Sequence, residues 1–136
     1  GIKLIAFGTV GGGLLSEQYL GQPQPSGQSL DTVSLKMYAG SAARFLGDWA
    51  LFQELLRALQ GVASKHGVTI ANVAQRWVLD CSPAVGSVLI GVRNSDHIEE
   101  NVRTHGFALG AADQAAIEAV LAKGRGPVGD VWGVER

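Results

Sequence analysis

Two short apolar runs, each ended by glycine, constrain the fold of this chain more than any other feature of its 136 residues. Residues 2–7 (IKLIAF) precede Gly8, and residues 85–90 (VGSVLI) precede Gly91. Short apolar runs of this kind are typical of strands that are buried on both faces of a parallel sheet. We therefore predict two buried strands, at residues 2–7 and 85–90.

The segments after these runs have the periodicity of amphipathic helices. Leu51, Leu55 and Leu59 repeat at helical spacing after Asp48, a residue that caps helix N-termini well. Thr69 is the expected cap of a second helix that Ser82-Pro83 ends, and Asn94 of a third. The predicted helices cover residues 49–66, 70–81, 95–104 and 110–123.

Two regions are poor in such patterns. Residues 17–47 include the stretch QPQPSGQS, and we predict a variable loop there, with only a weak helix over residues 31–45. Residues 124–136 are rich in glycine and are predicted to form an extended tail.

Strands that alternate with helices predict parallel βαβ units and hence the α/β class. Two strands alone would leave bare sheet edges, which favour aggregation, so we expect further strands that this sequence does not contain. Gly1 stands where an initiating Met would, so we expect the chain to be part of a larger protein.

The composition of the chain indicates which binding partners and which cellular compartment to expect. Eleven Lys and Arg against twelve Asp and Glu give a net charge of −1, which argues against nucleic acid or an anionic membrane as the main partner. Cys81 is the single cysteine, so no disulfide or zinc cluster is expected, and a reducing cytoplasmic location is predicted. No run approaches the ~20 apolar residues of a membrane span.

Four segments of the sequence resemble segments of the aldo-keto reductase family, and they occur in the same order and at similar spacing. The first matches the loop after the family's seventh barrel strand, the second its two intervening helices, the third the loop and helix after its eighth strand, and the fourth its closing helix. They are residues 6–16, 55–79, 90–101 and 109–113. The resemblance implies that residues 1–136 form one partial domain. That domain would be the C-terminal portion of a (β/α)8 TIM barrel, about its last two βα units plus an extra C-terminal helix.

The first loop falls where this family binds the nicotinamide end of its cofactor. Phe7 takes the place of a tyrosine that stacks on the nicotinamide ring, and phenylalanine keeps the flat apolar face. The resemblance places Gly8, Val10 and Gly12 on the loop that wraps the pyrophosphate, where glycine lets backbone amides approach closely.

The second loop falls where the family binds the adenosine end. Gly91 and Arg93 lie in the loop that receives the adenosine phosphate, where a guanidinium pairs with phosphate or stacks on adenine. Asn94, as a cap, would direct free amides of the third helix to the same phosphate. Glu100 and Asn101 match the acid–amide pair that hydrogen-bonds adenine.

Some positions depart from the family pattern. Many members have a lysine where this chain has Gln18. Other members have a Lys-Ser pair and a later arginine at positions that are Gly91, Val92 and His97 here. The resemblance therefore implies NADP(H) as the cofactor and leaves NAD(H) open.

Without the resemblance, the residues themselves leave simpler interpretations open. Phe7 could belong to the core, the glycines after it could form a flexible turn, and Arg93 could be an ordinary exposed cation. Glu100 could be solvated helix surface.

The resemblance implies an NAD(P)H-dependent reductase of aldehydes or ketones that needs no metal. The family's catalytic Asp, Tyr, Lys and His lie in the first half of the barrel, so we predict no catalytic residue in this chain. The missing N-terminal half and a small carbonyl substrate are the expected partners. A non-catalytic nucleotide-binding or regulatory module and a truncated product without function are the alternatives.

Overall fold

A computed structural model describes residues 1–92 and 95–126, and the side chains of all of these except residues 41–45. Its helices and strands, in chain order, are β1 (Leu4–Ala6), α1 (Val33–Leu46), α2 (Trp49–His66), α3 (Ile70–Asp80), β2 (Val85–Val88), α4 (Ile98–Val102) and α5 (Ala111–Leu121). Single turns of 3-10 helix lie at Gly11–Gly13, Glu17–Tyr19, Gly27–Ser29 and Arg103–His105. The predicted tail, from residue 127 onward, lies outside the described residues.

The two strands pair in parallel, as the alternation of strands and helices predicted. Leu4 lies opposite Val85 and Ala6 opposite Val88, with an irregularity in register after Leu4. The expected burial of β1 is not observed, because Leu4 is 55% and Ile5 67% exposed. Within the described residues β1 has β2 as its only neighbouring strand, so water reaches its other edge.

The hydrophobic core lies among the helices. Helix α2 packs against α1, α3 and α5, and Leu56 and Ala63 on α2 are completely buried. Ile70 and Val73 on α3 are equally buried. Deleting one such leucine side chain costs about 2–5 kcal/mol, so these contacts account for much of the stability of the helical layer.

The ends of α2 and α3 follow from local sequence. Asp48 caps α2 by accepting a hydrogen bond from the Leu51 amide at 2.8 Å, and Gly67 ends the helix in the left-handed conformation with φ of 65°. Thr69 caps α3 by accepting from the Asn72 amide at 3.3 Å. These caps agree with the sequence prediction.

Helix α1 occupies the second half of the segment predicted as a variable loop. The Thr32 hydroxyl accepts from the Leu35 amide at 3.0 Å and so caps its first turn. Leu35 and Ala39, one helical turn apart, are both buried against the rest of the core. Tertiary burial thus stabilises a helix that its sequence indicated only weakly.

No helix in the described part of the chain is both long and apolar enough to cross a bilayer.

Candidate functional site

A cavity of about 760 Å³ opens where the two strands end. Its walls come from three segments that are far apart in sequence: the loop after β1, the loop after β2, and the first two turns of α1. The lining includes Phe7, Gly8, Thr9, Val10, Gly12, Tyr19, Ser34, Tyr38, Leu89, Gly91 and Val92. Ligands of parallel α/β folds bind at the carboxyl ends of the strands, and this volume lies within the range of small-molecule sites.

Phe7 is the aromatic wall of this cavity. It directly follows β1, and 60% of its surface is exposed. An aromatic ring in the hydrophobic core would be buried, so the core interpretation does not describe Phe7 in this structure. The exposed ring provides a flat apolar surface on which a planar ligand group can stack.

The glycines after Phe7 are held against α1. Gly8 and Gly12 both have positive φ, at 68° and 65°. A Cβ at Gly12 would lie 2.9 Å from the Ser34 carbonyl oxygen, and one at Gly8 would collide with the Tyr38 hydroxyl. The family resemblance explained these glycines by the approach of the cofactor's pyrophosphate. The structure adds a second reason, because α1 packs on them directly.

The same loop uses several of its amides to form its own turn. The amide of Gly11 donates to the Gly8 carbonyl at 2.9 Å, and that of Gly13 donates to the Val10 carbonyl at 3.0 Å. The glycine segment is therefore an ordered turn of successive hydrogen bonds, which differs from the flexible turn left open by the sequence.

Thr9 is a residue of the cavity that sequence reasoning missed. Its side chain is buried, with 8% of the residue exposed, and Oγ1 has no hydrogen-bond partner among the described residues. A buried hydroxyl without a partner costs about 1–3 kcal/mol. Oγ1 itself is enclosed by protein atoms and is not open to the cavity. No local sequence pattern indicates the burial of Thr9, because a threonine between Gly8 and Val10 is typical of any strand end.

The second predicted loop is described only in part. Gly91 lines the cavity, whereas Arg93 and Asn94 lie outside the described residues. The helix predicted at residues 95–104 begins at Ile98, with His97 at the cap position. The Ile98 amide donates to the Ser95 carbonyl at 3.2 Å, so residues 95–98 form a turn in place of the predicted first helical turn.

Glu100 and Asn101 lie on α4 and face α3. The Thr69 hydroxyl lies 3.1 Å from Oε1 of Glu100, and the Gln75 amide donates to Oδ1 of Asn101 at 3.3 Å. Neither residue lines the cavity at the strand ends. The structure thus brings five of the predicted cofactor residues together (Phe7, Gly8, Val10, Gly12 and Gly91) and places the acid–amide pair on a separate surface.

Tyr19 is a cavity tyrosine whose ionisation is disfavoured. Burial raises the pKa of the Tyr19 phenol, and the negative charge of Asp31 raises it further. A phenol with a raised pKa holds its proton more tightly, which is unfavourable for a proton donor working near neutral pH.

A buried cluster of charged side chains lies away from the cavity. The buried carboxylate of Asp113 on α5 lies 2.7 Å from Nζ of Lys65 and 2.9 Å from Nε2 of His66, and accepts from the Gly110 amide at 3.0 Å. The hydrogen bonds from Lys65 and then His66 hold the pKa of Asp113 well below its usual range. This cluster joins the C-terminus of α2 to α5 and is structural. Across the described residues, no group of three or more His, Cys, Asp or Glu side chains is arranged to hold a metal ion.

Comparison with known proteins identifies relatives along most of the chain. It is 42% identical over 91 residues to Flagellar radial spoke protein 5 of Chlamydomonas reinhardtii, which covers 62% of this chain and 17% of that protein. It is 31% identical over 126 residues to L-glyceraldehyde 3-phosphate reductase of Escherichia coli, covering 91% of this chain and 35% of the relative. It is 29% identical over 119 residues to a chloroplastic pyridoxal reductase of Arabidopsis thaliana, covering 87% of this chain and 28% of the relative.

The chain therefore spans about a third or less of the length of these curated relatives. The sequence profile of the Aldo/keto reductase family matches residues 1–122, which include both strands, all five helices and every residue of the cavity. This chain belongs to the aldo/keto reductase family.

Proposed function

We propose that this chain is the C-terminal, cofactor-binding part of a (β/α)8-barrel reductase that reduces aldehydes or ketones by hydride transfer. NADP(H) is the proposed cofactor, with NAD(H) as the alternative, and the cytoplasm is the proposed location. The observation that supports this most is the cavity at the strand ends, which the exposed Phe7 ring lines together with the glycines of both loops.

The residues of the cavity fit a nicotinamide nucleotide. Phe7 offers a stacking face for the nicotinamide ring. Gly8, Val10, Gly12 and Gly91 form the walls of the same cavity. When bound, the reduced nicotinamide supplies the hydride, and these residues would bind and orient its ring and exclude water.

The rest of the reaction requires residues outside this chain. Carbonyl reduction needs a proton donor beside the developing alkoxide. The family's Asp, Tyr, Lys and His belong to the first half of the barrel. We therefore propose that this chain alone is inactive and that the complete barrel is the enzyme.

Two measurements test this function. Titration with NADPH and NADH, followed by cofactor fluorescence, should show saturable binding to the full-length protein. The absorbance of the reduced cofactor should then fall as NADPH is oxidised in the presence of aldehydes or ketones from a test panel. Saturable binding without oxidation of NADPH by any carbonyl would contradict the reductase and leave a nucleotide-binding module. The absence of binding would contradict both functions.

A second candidate function is a non-catalytic module in a larger assembly. It is favoured by the identity of 42% to a protein named as a flagellar radial spoke component. Substituting Phe7 by Ala should abolish carbonyl reduction if the protein is a reductase. In an assembly module the same change should leave co-purification with partner proteins intact.

A further inference from the structure

The cavity at the strand ends has two chemically different sides. Its apolar side comes from the strand ends and includes Phe7, Leu89 and Val92. Its other side comes from residues 18–38, and every described lining residue of that segment except Leu35 is polar. These polar residues are Gln18, Tyr19, Asp31, Thr32, Ser34 and Tyr38. A cavity of this kind fits a flat apolar group on one side and a hydrogen-bonding group on the other.

The polar side is held in place by the helical core. Gln53 on α2 is buried, with its Oε1 accepting from the Gly21 amide at 2.7 Å and its Nε2 donating to the Tyr19 carbonyl at 2.9 Å. Further along the segment, Leu35 and Ala39 bury one face of α1 in the core. Polar groups that are fixed before a ligand arrives lose little conformational freedom on binding, so this side of the cavity is suited to selective recognition.

Tyr38 lies directly on the glycine loop. A Cβ at Gly12 would lie 3.0 Å from Cδ2 of Tyr38, and a Cβ at Gly8 would collide with the Tyr38 hydroxyl. The ring therefore runs along the loop from Gly12 toward Gly8, with its hydroxyl at the Gly8 end. Gly8 directly follows Phe7, and both residues line the cavity. The hydroxyl is thus placed near the surface on which the nicotinamide is proposed to stack.

This position favours contact with the carbonyl compound. The reacting carbonyl carbon must approach the nicotinamide from the side opposite Phe7, so its substituents point toward the polar side of the cavity. A phenol both donates and accepts hydrogen bonds, as an alcohol hydroxyl does. A methyl group in the same place would displace water from the phenol and offer no hydrogen bond in return.

We propose that Tyr38 is a specificity-determining residue whose hydroxyl binds a hydroxyl group next to the reacting carbonyl, so that the complete enzyme favours hydroxylated aldehydes or ketones. The inference rests on the proposed function, because it requires the nicotinamide on Phe7 and the carbonyl compound in the same cavity.

The test compares lactaldehyde with isobutyraldehyde as substrates of the full-length protein in the presence of NADPH. The two aldehydes differ only in that a hydroxyl of the first is a methyl group in the second. Tyr38→Phe should lower the ratio of their kcat/KM values about three- to tenfold relative to wild type, the size expected for one hydrogen bond between neutral groups. The intrinsic reactivities of the aldehydes cancel from this comparison, because they are the same for both proteins. The variant keeps the ring that packs on Gly8 and Gly12.

Tyr19→Phe is the matched control, because Tyr19 is the second of the two tyrosines in the chain and lies in the turn at Glu17–Tyr19. It should change the ratio less than Tyr38→Phe does. Equal changes in the two variants would overturn the inference. So would an unchanged ratio in Tyr38→Phe accompanied by a loss of NADPH affinity, which would place the hydroxyl against the cofactor.

Two further outcomes separate the inference from the proposed function. A wild type that reduces other carbonyl compounds but neither of these aldehydes would overturn the inference and leave the reductase intact. A wild type that reduces no carbonyl compound would overturn both.

If Tyr38→Phe does not fold, nuclear magnetic resonance on wild type with isotope-labelled tyrosine rings gives the answer. The Tyr38 resonance, assigned through nuclear Overhauser contacts with Gly8, should shift when propylene glycol is added to the complex with NADP+. It should stay in place with isobutanol, the product of the methyl-substituted aldehyde. Identical responses to the two alcohols would overturn the inference.

Discussion

Thr9 and Thr104 are both buried, and they differ in whether the side-chain hydroxyl has a hydrogen-bond partner among the described residues. Oγ1 of Thr104 donates to Gln75 and accepts from Asn72, whereas Oγ1 of Thr9 has no partner among the described residues. Removing a paired buried hydroxyl leaves its partners unsatisfied, while removing an unpaired one relieves a desolvation cost. Both residues are buried, so hydrogen bonding is expected to dominate the difference between their substitutions.

At this scale we predict that Thr9→Val stabilises the protein. The free energy of unfolding should rise by about 1 kcal/mol, because a hydroxyl without a partner among the described residues is replaced by a methyl group of similar size. Denaturant unfolding measures the effect. Thr104→Val is the matched control and should lower stability by about 1–3 kcal/mol. A destabilised Thr9→Val would contradict this interpretation.

At the scale of secondary-structure elements, the contact between α2 and α5 depends on one buried carboxylate. Asp113 is paired with Lys65 and His66, which are the last residues of α2, and it also accepts from the Gly110 amide ahead of α5. A single aspartate therefore satisfies a helix N-terminus and fixes the packing of two helices.

We predict that Asp113→Asn lowers the free energy of unfolding at neutral pH by about 2 kcal/mol, because hydrogen bonds to charged donors are lost. The folded-state pKa of Asp113 is lowered, so its contribution is present above the unfolded value of about 3.9 and is lost as pH falls below it. Wild type and variant should thus converge in stability at acid pH. Denaturant unfolding across that range measures this. Glu54→Gln, at the exposed pair with Lys123, is the control and should cost less than about 1 kcal/mol. A gap between wild type and Asp113→Asn that is constant with pH would contradict this role for Asp113.

At the scale of the whole molecule, the sheet is the incomplete part of the described structure. Leu4, Ile5 and Leu89 expose more than half of their surface, while the helical layer has a well-buried core. The chain spans about a third or less of its curated relatives, which supports the proposal that other strands cover these residues in the complete barrel.

We predict that Ile5→Lys has opposite effects in the two contexts. It should reduce aggregation of the isolated chain, measured by light scattering, because a charged residue on an open strand protects its edge. It should destabilise the full-length protein by several degrees in thermal unfolding, because a lysine would be buried in a closed barrel. Val33→Lys, at an exposed site on α1, is the control for added charge and should change neither property much. Equal stability of wild type and Ile5→Lys in the full-length protein would argue against barrel closure around β1.

The sequence alone determined the features that depend on neighbours along the chain. Asp48, Thr69 and Gly67 set the ends of α2 and α3 because caps act over three or four residues, and apolar periodicity identified the faces that pack. The alternation of strands and helices predicted the parallel pairing of β1 and β2.

Only the tertiary structure decided what depends on groups distant in sequence. The burial of Thr9 without a partner, the approach of Ser34 to Gly12, and the hydrogen bonds from Asn72 to Glu100 and Thr104 all join separate segments. The start of α4 at Ile98 was missed because residue type does not fix where the chain turns. Capping and periodicity are short-range effects, whereas close approach and hydrogen-bond direction exist only once the helices have packed.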